Sequence, residues 1–265
     1  MTSTFAVDFK LANIISGLMP HSCGHPCTYC HASQHAIENI ASNYYLWRAG
    51  GSQHIAAKKF TNCTNLPLYS RHDTDTRILD IIPPPESHLL LGVVNTIFNH
   101  MLKEYNDEAL AWAGLCHVQR QITNGGTGFN GNGCNTLLRN VDMLRSICSL
   151  GCLKFAQVLS DFRLVVGACF GNTLDPLYTT YISKFKSSYL ALGVNVTPKV
   201  HSIFFHVEEF CSKKQEGLGF YCEQSVESTH SEFTKIKSKY IVSLNNPHYS
   251  SDLKKAVCEF NSLHM

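Results

Sequence analysis

Two pairs of metal-binding residues lie far apart in this chain, and their separation constrains the fold more than any other feature. Cys27 and Cys30 form a C-x-x-C pair, and His201 and His206 form an H-x-x-x-x-H pair. Two thiolates and two imidazoles are a complete ligand set for one tetrahedral zinc ion. If one ion takes all four ligands, the fold must bring the start of the chain against the segment around residue 200.

Each pair also has one isolated carboxylate near it in sequence. Asp8 precedes the C-x-x-C pair, and Glu227 follows the H-x-x-x-x-H pair. A zinc ion that joins the two pairs would therefore also bring the segments that carry the two carboxylates together. This order predicts an acidic site beside a structural zinc ion.

The C-x-x-C pair lies within residues 20–35, a loop rich in Pro, His and Cys without hydrophobic periodicity. The same spacing occurs in redox pairs, but a redox pair opens a helix after a strand, and the Pro- and His-rich surroundings suit that poorly. Four other side chains of the loop compete as metal ligands: Cys23, His25, His31 and His35. The loop is therefore predicted to bind metal, with its ligand set left open.

The H-x-x-x-x-H pair is harder to interpret, because residues five apart on a regular α-helix lie about 140° apart around its axis. His201 and His206 can converge only near a helix end or at a distortion of the helix. The alternative is two ordinary histidines of an amphipathic helix. Glu227 has a similar alternative, since most glutamates on an amphipathic helix simply face solvent.

Composition favours a globular protein without a general affinity for nucleic acid. The chain has 265 residues, of which 44% are hydrophobic, and its net charge is only +2, so any nucleic-acid surface must be local. Nothing resembles a secretory signal, and no apolar run approaches the ~18 residues of a membrane span. We therefore expect a soluble intracellular protein without a membrane partner, whose twelve cysteines are reduced or metal-bound rather than paired in disulfides.

Hydrophobic spacing predicts a short strand, then a helix, and then a largely helical chain. The strand covers Thr4–Asp8, and Leu11, Ile14, Ile15 and Leu18 give the helix that follows. Longer helices are predicted over 88–105, 109–122, 152–170, 176–192, around His201 and His206, and over about 223–240 and 251–263. The predicted division is 1–35 with the zinc knuckle, 36–197 as a mostly helical region, and 198–265 with the second zinc arm and the Glu227 helix.

Taken together, these landmarks resemble the catalytic core of the recombination-activating recombinase of jawed vertebrates and its Transib transposase relatives. In that family the second catalytic aspartate precedes a C-x-x-C pair at a distance like that from Asp8 to Cys27. An H-x-x-x-x-H pair completes the zinc site, and the catalytic glutamate follows inside a Ser-Glu-rich helix start, which here is Cys222–Ser228. The alignment favours Glu227 as the metal ligand and leaves Glu223 as the substitute.

Two further segments are similar to the same family. His88–Gly92 is similar to its H-x-x-x-G segment, and Asn130–Leu137 is similar to its Gly-Asn-rich entry into a helix. The resemblance implies an α/β ribonuclease-H-like fold that a large helical insertion makes predominantly α-helical. It also implies DDE-type cleavage and joining of DNA strands with two Mg²⁺ or Mn²⁺ ions, held by three carboxylates that include Asp8 and Glu227. DNA, a second copy of the chain and a nuclear location in a eukaryote are the corresponding expectations.

One departure from the family limits these expectations. The first catalytic aspartate of the family lies far upstream of the second, and only seven residues precede Asp8. Later acids stand in the wrong order to replace it: Asp73, Asp75, Asp80, Asp161 and Asp175. The chain is therefore expected to be the C-terminal part of a transposase core, catalytically incomplete without an N-terminal segment. The alternatives are a non-catalytic, zinc-stabilised DNA- or protein-interaction protein, and a zinc-knuckle endonuclease whose general base is a histidine near Cys27.

Overall fold

The computed structural model of the chain describes residues 6–19, 21–38, 76–123, 126–221, 232, 235–236, 238–240 and 247–264. The chain divides into two units, Met1–Cys222 and Glu223–Met265. Within the described residues both units are helical, apart from one two-stranded hairpin. None of the helices in these ranges is long and apolar enough to cross a membrane.

The first unit contains the larger number of elements, which are numbered here in chain order. Its helices and strands are α1 Phe9–Ile15, α2 Gln34–Glu38, α3 Ile78–Ile81, α4 Glu86–Glu104, α5 Asn106–Leu115, β1 Gln121–Thr123, β2 Gly126–Gly128, α6 Gly131–Arg139, α7 Val141–Ile147, α8 Leu153–Cys169, α9 Tyr178–Ala191, α10 Pro198–Ser202, a π-helical turn Ile203–Val207, α11 Glu208–Lys214 and a 3₁₀ turn Leu218–Tyr221.

The core of this unit forms around α4 and α8, whose apolar residues recur every three or four positions. Helix α4 buries seven such side chains: Leu89, Leu90, Val93, Val94, Ile97, Phe98 and Met101. Helix α9 packs along α8, and an aromatic row continues from one to the other and onto the histidine-bearing segment. Phe162 lies 5.0 Å from Phe185, which lies 5.7 Å from Phe204, measured between ring centroids. This row fixes the segment around His201 and His206 against the body.

The long helices predicted over 88–105, 152–170 and 176–192 are confirmed, with ends shifted by two residues or fewer. The helix predicted over 109–122 is present, but its predicted C-terminal end is seven residues too late. Helix α5 stops at Leu115 because His117 adopts a left-handed conformation, with φ 52°. The chain then turns into the β1–β2 hairpin, in which Gln121 pairs with Gly128.

The start of the chain also differs from the prediction. Residues 4 and 5 of the predicted strand lie outside the described residues, and its other three residues, 6–8, have no regular structure. The helix predicted next is present as α1, but its buried face carries Phe9 and Ala12. Of the four residues that predicted it, Leu11 and Ile14 are 43% and 58% exposed, whereas Leu18 is buried and Ile15 packs against the core. The periodicity therefore located the helix but identified only part of its buried face.

An ionic cluster holds α3 against α11. The Asp80 carboxylate lies 3.0 Å from the Arg77 guanidinium and 2.8 Å from the Lys213 ammonium, and Arg77 also pairs with Glu209. Burial opposes the negative charge of Asp80, but Arg77 and Lys213 outweigh it and lower the pKa of the carboxyl. The residues that precede α4 are thereby fixed to the helical segment that carries the two histidines.

The second unit contains α12, Tyr249–His264, which confirms the helix predicted over 251–263. The Lys239 ammonium and the Tyr240 hydroxyl both donate to the Glu259 carboxylate, over 2.7 and 2.5 Å. Several residues of the helix predicted over 223–240 are helical where they are described. Glu223 and Glu227 lie outside the described residues.

Candidate metal centre

The C-x-x-C loop is closed by backbone hydrogen bonds that direct both thiols inward. The Gln34 amide donates to the Gly24 carbonyl over 2.9 Å, and His21 Nδ1 donates to the Pro26 carbonyl over 2.6 Å. Inside the loop the Tyr29 amide donates to Cys27 Sγ over 3.4 Å. Cys27 and Cys30 are consequently buried, although they belong to a segment without hydrophobic periodicity.

Two residues between the cysteines attach this loop to the rest of the unit. Tyr29 is fully buried, and its hydroxyl donates to the Pro83 carbonyl over 3.1 Å. The Thr28 hydroxyl donates to Asn13 Oδ1 over 2.7 Å, and the Asn13 amide donates to the Met19 carbonyl over 2.8 Å. The loop therefore has fixed contacts both with helix α1 and with the segment before α4.

The histidines lie on a continuous helical segment that contains a π-helical turn. Thr197 caps its start by accepting from the Val200 amide over 3.3 Å, and Pro198 occupies the first turn. The π turn spans Ile203–Val207. Its i to i+5 hydrogen bonding adds a residue to the turn, so His201 and His206, five residues apart, lie on the same side. This distortion is what the five-residue spacing required.

The two histidines meet the two cysteines in one buried cluster. Cys27 Sγ lies 3.2 Å from His206 Nε2, and Cys30 Sγ lies 3.3 Å from His201 Nε2. One ligand atom from each residue lies within 4.8 Å of all the others. A tetrahedral zinc ion with bonds of ~2.0 and ~2.3 Å separates a nitrogen from a sulfur ligand by about 3.5 Å. The two measured sulfur–nitrogen separations are close to this value, so the cluster could hold a metal ion such as zinc.

The pKa values of the two thiols are shifted in opposite directions. Burial opposes ionisation of both, but at Cys27 the Cys30 thiol and the charge and hydrogen bonds of His206 outweigh burial and hold the pKa well below its usual range. At Cys30, burial and the neighbouring Cys27 thiolate raise the pKa. One thiolate is thus favoured by the protein alone, and a divalent cation would supply the charge that favours the second.

Of the Cys and His side chains in the loop, only Cys27 and Cys30 belong to the four-residue cluster. Cys23, His25, His31 and His35 do not belong to the cluster, and the Cys23 thiol donates to the His25 carbonyl over 3.5 Å. Among the described residues, this is the cluster of three or more Cys, His, Asp or Glu side chains that could hold a metal ion. All four ligands are at most 4% exposed, and a closed four-ligand site is the arrangement of structural zinc.

The described part of the chain contains one of the two predicted catalytic residues, Asp8. Asp8 is half-buried and caps α1, since its Oδ1 accepts from the Leu11 amide over 2.6 Å. Glu227 lies outside the described residues, and so its distance from Asp8 stays a prediction. Sequence reasoning missed Asn13 and Tyr29 as supports of the loop. The position of Tyr29 inside the C-x-x-C pair was the one available signal.

Comparisons with models of protein families and with curated proteins find no match to this chain.

Proposed function

We propose that this chain is the zinc-stabilised C-terminal part of a DDE-type DNA transposase or recombinase core, which binds DNA and is catalytically incomplete alone. The observation that supports the proposal is the convergence of Cys27 and Cys30 with His201 and His206. These four residues are the ones that the resemblance to the recombination-activating recombinase and Transib transposases selects. The proposed fold is a ribonuclease-H-like core whose sheet is interrupted by the helical body.

Zinc is the metal that suits this ligand set. Two thiolates and two imidazoles in a tetrahedral arrangement are typical of zinc, whereas Mg²⁺ and Mn²⁺ prefer oxygen ligands. Because the ligands come from segments far apart in the chain, zinc binding here contributes directly to folding. In the proposed function the zinc ion is structural and takes no part in strand cleavage.

The metal centre also positions Asp8. Thr28 of the loop bonds to Asn13 of α1, and Asp8 is the residue that caps α1. Capping uses one carboxylate oxygen, while a carboxylate has about four acceptor sites. Asp8 could therefore bind Mg²⁺ or Mn²⁺ together with Glu227 and a third carboxylate from another segment, and such ions would activate the attacking oxygen and stabilise the leaving one.

The second candidate is a non-catalytic, zinc-stabilised protein that binds DNA or another protein. It is favoured by the capping role of Asp8, which explains this residue without any catalytic metal. Several basic side chains also have protein partners, as in the ion pairs of Lys184 with Asp161 and of Lys213 with Asp80. Such lysines offer less charge to phosphate groups than unpaired ones.

A binding experiment with duplex DNA and Mn²⁺ distinguishes the transposase-core function from the non-catalytic one. Fluorescence anisotropy of labelled DNA, measured over a range of salt concentrations, should show binding that weakens with salt and is lost in Cys27→Ser but kept in Cys23→Ser. Asp8→Asn keeps the helix cap, so a fall in Mn²⁺ affinity in Asp8→Asn and in Glu227→Gln reports on metal binding. If zinc-loaded protein binds DNA but these two variants bind Mn²⁺ like the unmodified chain, the non-catalytic candidate is favoured. Failure to bind DNA contradicts the proposal.

A further inference from the structure

A cavity of about 310 Å³ lies directly beside the metal centre. Its walls come from α1, the C-x-x-C loop, α4 and the start of α10. Most of this wall is apolar or aromatic, with Phe9, Pro26, Tyr29 and Pro198 among its residues. A second cavity of about 410 Å³ runs from α4 to the β1–β2 hairpin, and Gly92, Thr96 and Lys199 line both cavities.

Lys199 lines both cavities, and its side chain crosses α4 at Gly92. A Cβ atom at position 92 would overlap the Lys199 stem, so a larger residue there would displace this side chain. Among the described residues that line the cavities, Lys199 is the one lysine or arginine, and none is an aspartate or glutamate. A half-buried lysine thus lines both cavities without a carboxylate in their described walls.

Two further polar atoms of the first cavity are buried without a hydrogen-bond partner in the described part of the chain: Ser202 Oγ and His21 Nε2. Ser202 is 1% exposed. His21 donates through Nδ1 to the Pro26 carbonyl, so Nε2 of the neutral ring is an acceptor. Since buried polar atoms are nearly always paired, these atoms indicate a ligand that accepts from Ser202 and donates to His21.

The geometry points to a nucleotide-binding site in this cavity, with the phosphate group at Lys199 and Ser202 and the base between the apolar walls. A lysine and a hydroxyl suit phosphate oxygens, and aromatic walls suit a base of any sequence. An amino group on the base can donate to His21 Nε2. Ligand cavities span about 300 to 1,000 Å³, so the volume fits a single small ligand.

The same chemistry is available from two sources, a free nucleotide and the phosphorylated end of a DNA strand. The second cavity continues beyond Lys199, which leaves room for a strand to extend from the phosphate. The site needs the folded metal centre, because Cys27 forms part of its wall. It does not need the transposase origin of the chain, and so the two proposals can fail separately.

Calorimetric titration of the zinc-loaded full chain tests the site. We expect dAMP to bind. Deoxyadenosine, which lacks the phosphate, should have an affinity lower by about tenfold or more, since a hydrogen bond to a charged group is typically worth about 1.5–3 kcal/mol. Lys199→Met should weaken dAMP binding by about tenfold or more, and Ser202→Ala by a smaller factor. Lys199→Arg keeps the charge and should retain most of the affinity. Lys103→Met is the control, because Lys103 is an exposed lysine of α4 that does not line either cavity. This variant should bind dAMP with unchanged affinity.

Competition with two short single-stranded DNAs, one with and one without a 5′-phosphate, distinguishes a strand end from a free nucleotide as the natural ligand. Displacement of dAMP by the phosphorylated strand alone assigns the site to a strand end, and displacement by neither assigns it to a free nucleotide. The proposal is overturned if zinc-loaded protein binds no dAMP, or if Lys199→Met and Ser202→Ala both bind dAMP like the unmodified chain. Zinc content and circular dichroism of the same samples distinguish these results from a loss of the fold or of the metal centre.

Discussion

The helical body and the metal arm of the first unit are stabilised in different ways. The body, α4 to α9, buries large apolar side chains such as Trp112, Phe155 and Phe162 completely. The metal arm, residues 6–38, also buries Tyr29 and Ile37, but its contacts with the body include the hydrogen bond of Tyr29 and the approach of the Cys27 and Cys30 thiols to the two histidines. We infer from this difference that apolar burial folds the body, while the arm depends in addition on the metal ion that the four-residue cluster could hold.

A segment whose attachment depends on a metal site opens locally at a lower free energy than the core once the metal is removed. Without metal, the arm should therefore exchange its amide hydrogens quickly while α4 and α8 remain protected. Substitutions in each region can show whether the two stabilities are distinct.

Loss of the metal should have the largest effect. Cys27→Ser removes one of four ligands, and structural zinc sites typically supply roughly 10 kcal/mol of apparent binding free energy. We expect the zinc to be lost and residues 21–38 to lose hydrogen-exchange protection, with α4 and α8 still protected. Exchange measured by mass spectrometry reads each region separately.

Cys23→Ser is the matched control, because Cys23 belongs to the same loop but not to the ligand cluster. It should retain zinc and the protection of the arm. If Cys23→Ser loses zinc while Cys27→Ser retains it, the ligand assignment is wrong.

A substitution that creates a cavity in the core of the body should have the next largest effect on stability. Phe162 is fully buried on α8, and a buried phenylalanine replaced by alanine typically costs about 3–5 kcal/mol. Phe162→Ala should lower the midpoint of urea unfolding of the whole body, while the folded protein retains one zinc per chain. Phe220→Ala, at a residue 60% exposed, should change the stability by less than about 0.5 kcal/mol. Zinc release from folded Phe162→Ala would show that the two regions are not separate.

The ionic cluster between α3 and α11 should make stability depend on pH. The pKa of Asp80 is lower in the folded protein than its ordinary value, so the folded state binds fewer protons. Its contribution is therefore complete above about pH 4–5 and is lost as the pH falls through the folded pKa. Asp80→Asn should cost roughly 1–2 kcal/mol at pH 7.

Unfolding measured at a series of pH values from neutral to acidic provides the check. The difference between Asp80→Asn and the unmodified chain should shrink at the acidic end of the series. A constant difference over the whole series would mean that the charge of Asp80 contributes nothing. Lys255→Met, at an exposed ion pair of the second unit, should leave the profile of the first unit unchanged.

The smallest effect is expected at Asp8. As the cap of α1, Asp8 can be replaced by asparagine with little change, whereas alanine should cost about 1 kcal/mol. Thermal unfolding of Asp8→Ala and Asp8→Asn measures the difference. Equal stability of the two variants would remove the structural explanation of Asp8 and favour a purely catalytic one.

The long helices α4, α8 and α9 of the body were predictable from sequence because apolar residues at three- and four-residue spacing determine which helices form. The β1–β2 hairpin was not predicted by this spacing. The metal ligands were predictable from their types and spacing, since two thiols and two imidazoles form a zinc set wherever the fold brings them together. The five-residue spacing of the histidines predicted a helix end or a distortion, but no local pattern in Ile203–Val207 identifies the distortion as a π-helical turn. The exposure of Leu11 and Ile14 was missed for a related reason, as a loop without periodicity contacts α1 through Asn13.

The central claim is that one zinc ion joins the arm to the body through Cys27, Cys30, His201 and His206. X-ray absorption spectroscopy at the zinc edge, with elemental analysis, tests it directly. One zinc per chain, with two sulfur ligands at ~2.3 Å and two nitrogen ligands at ~2.0 Å, is the expected result, and His206→Ala should lose the metal. A zinc ion that keeps its affinity and ligand set in His206→Ala would confine the site to the loop and contradict the account.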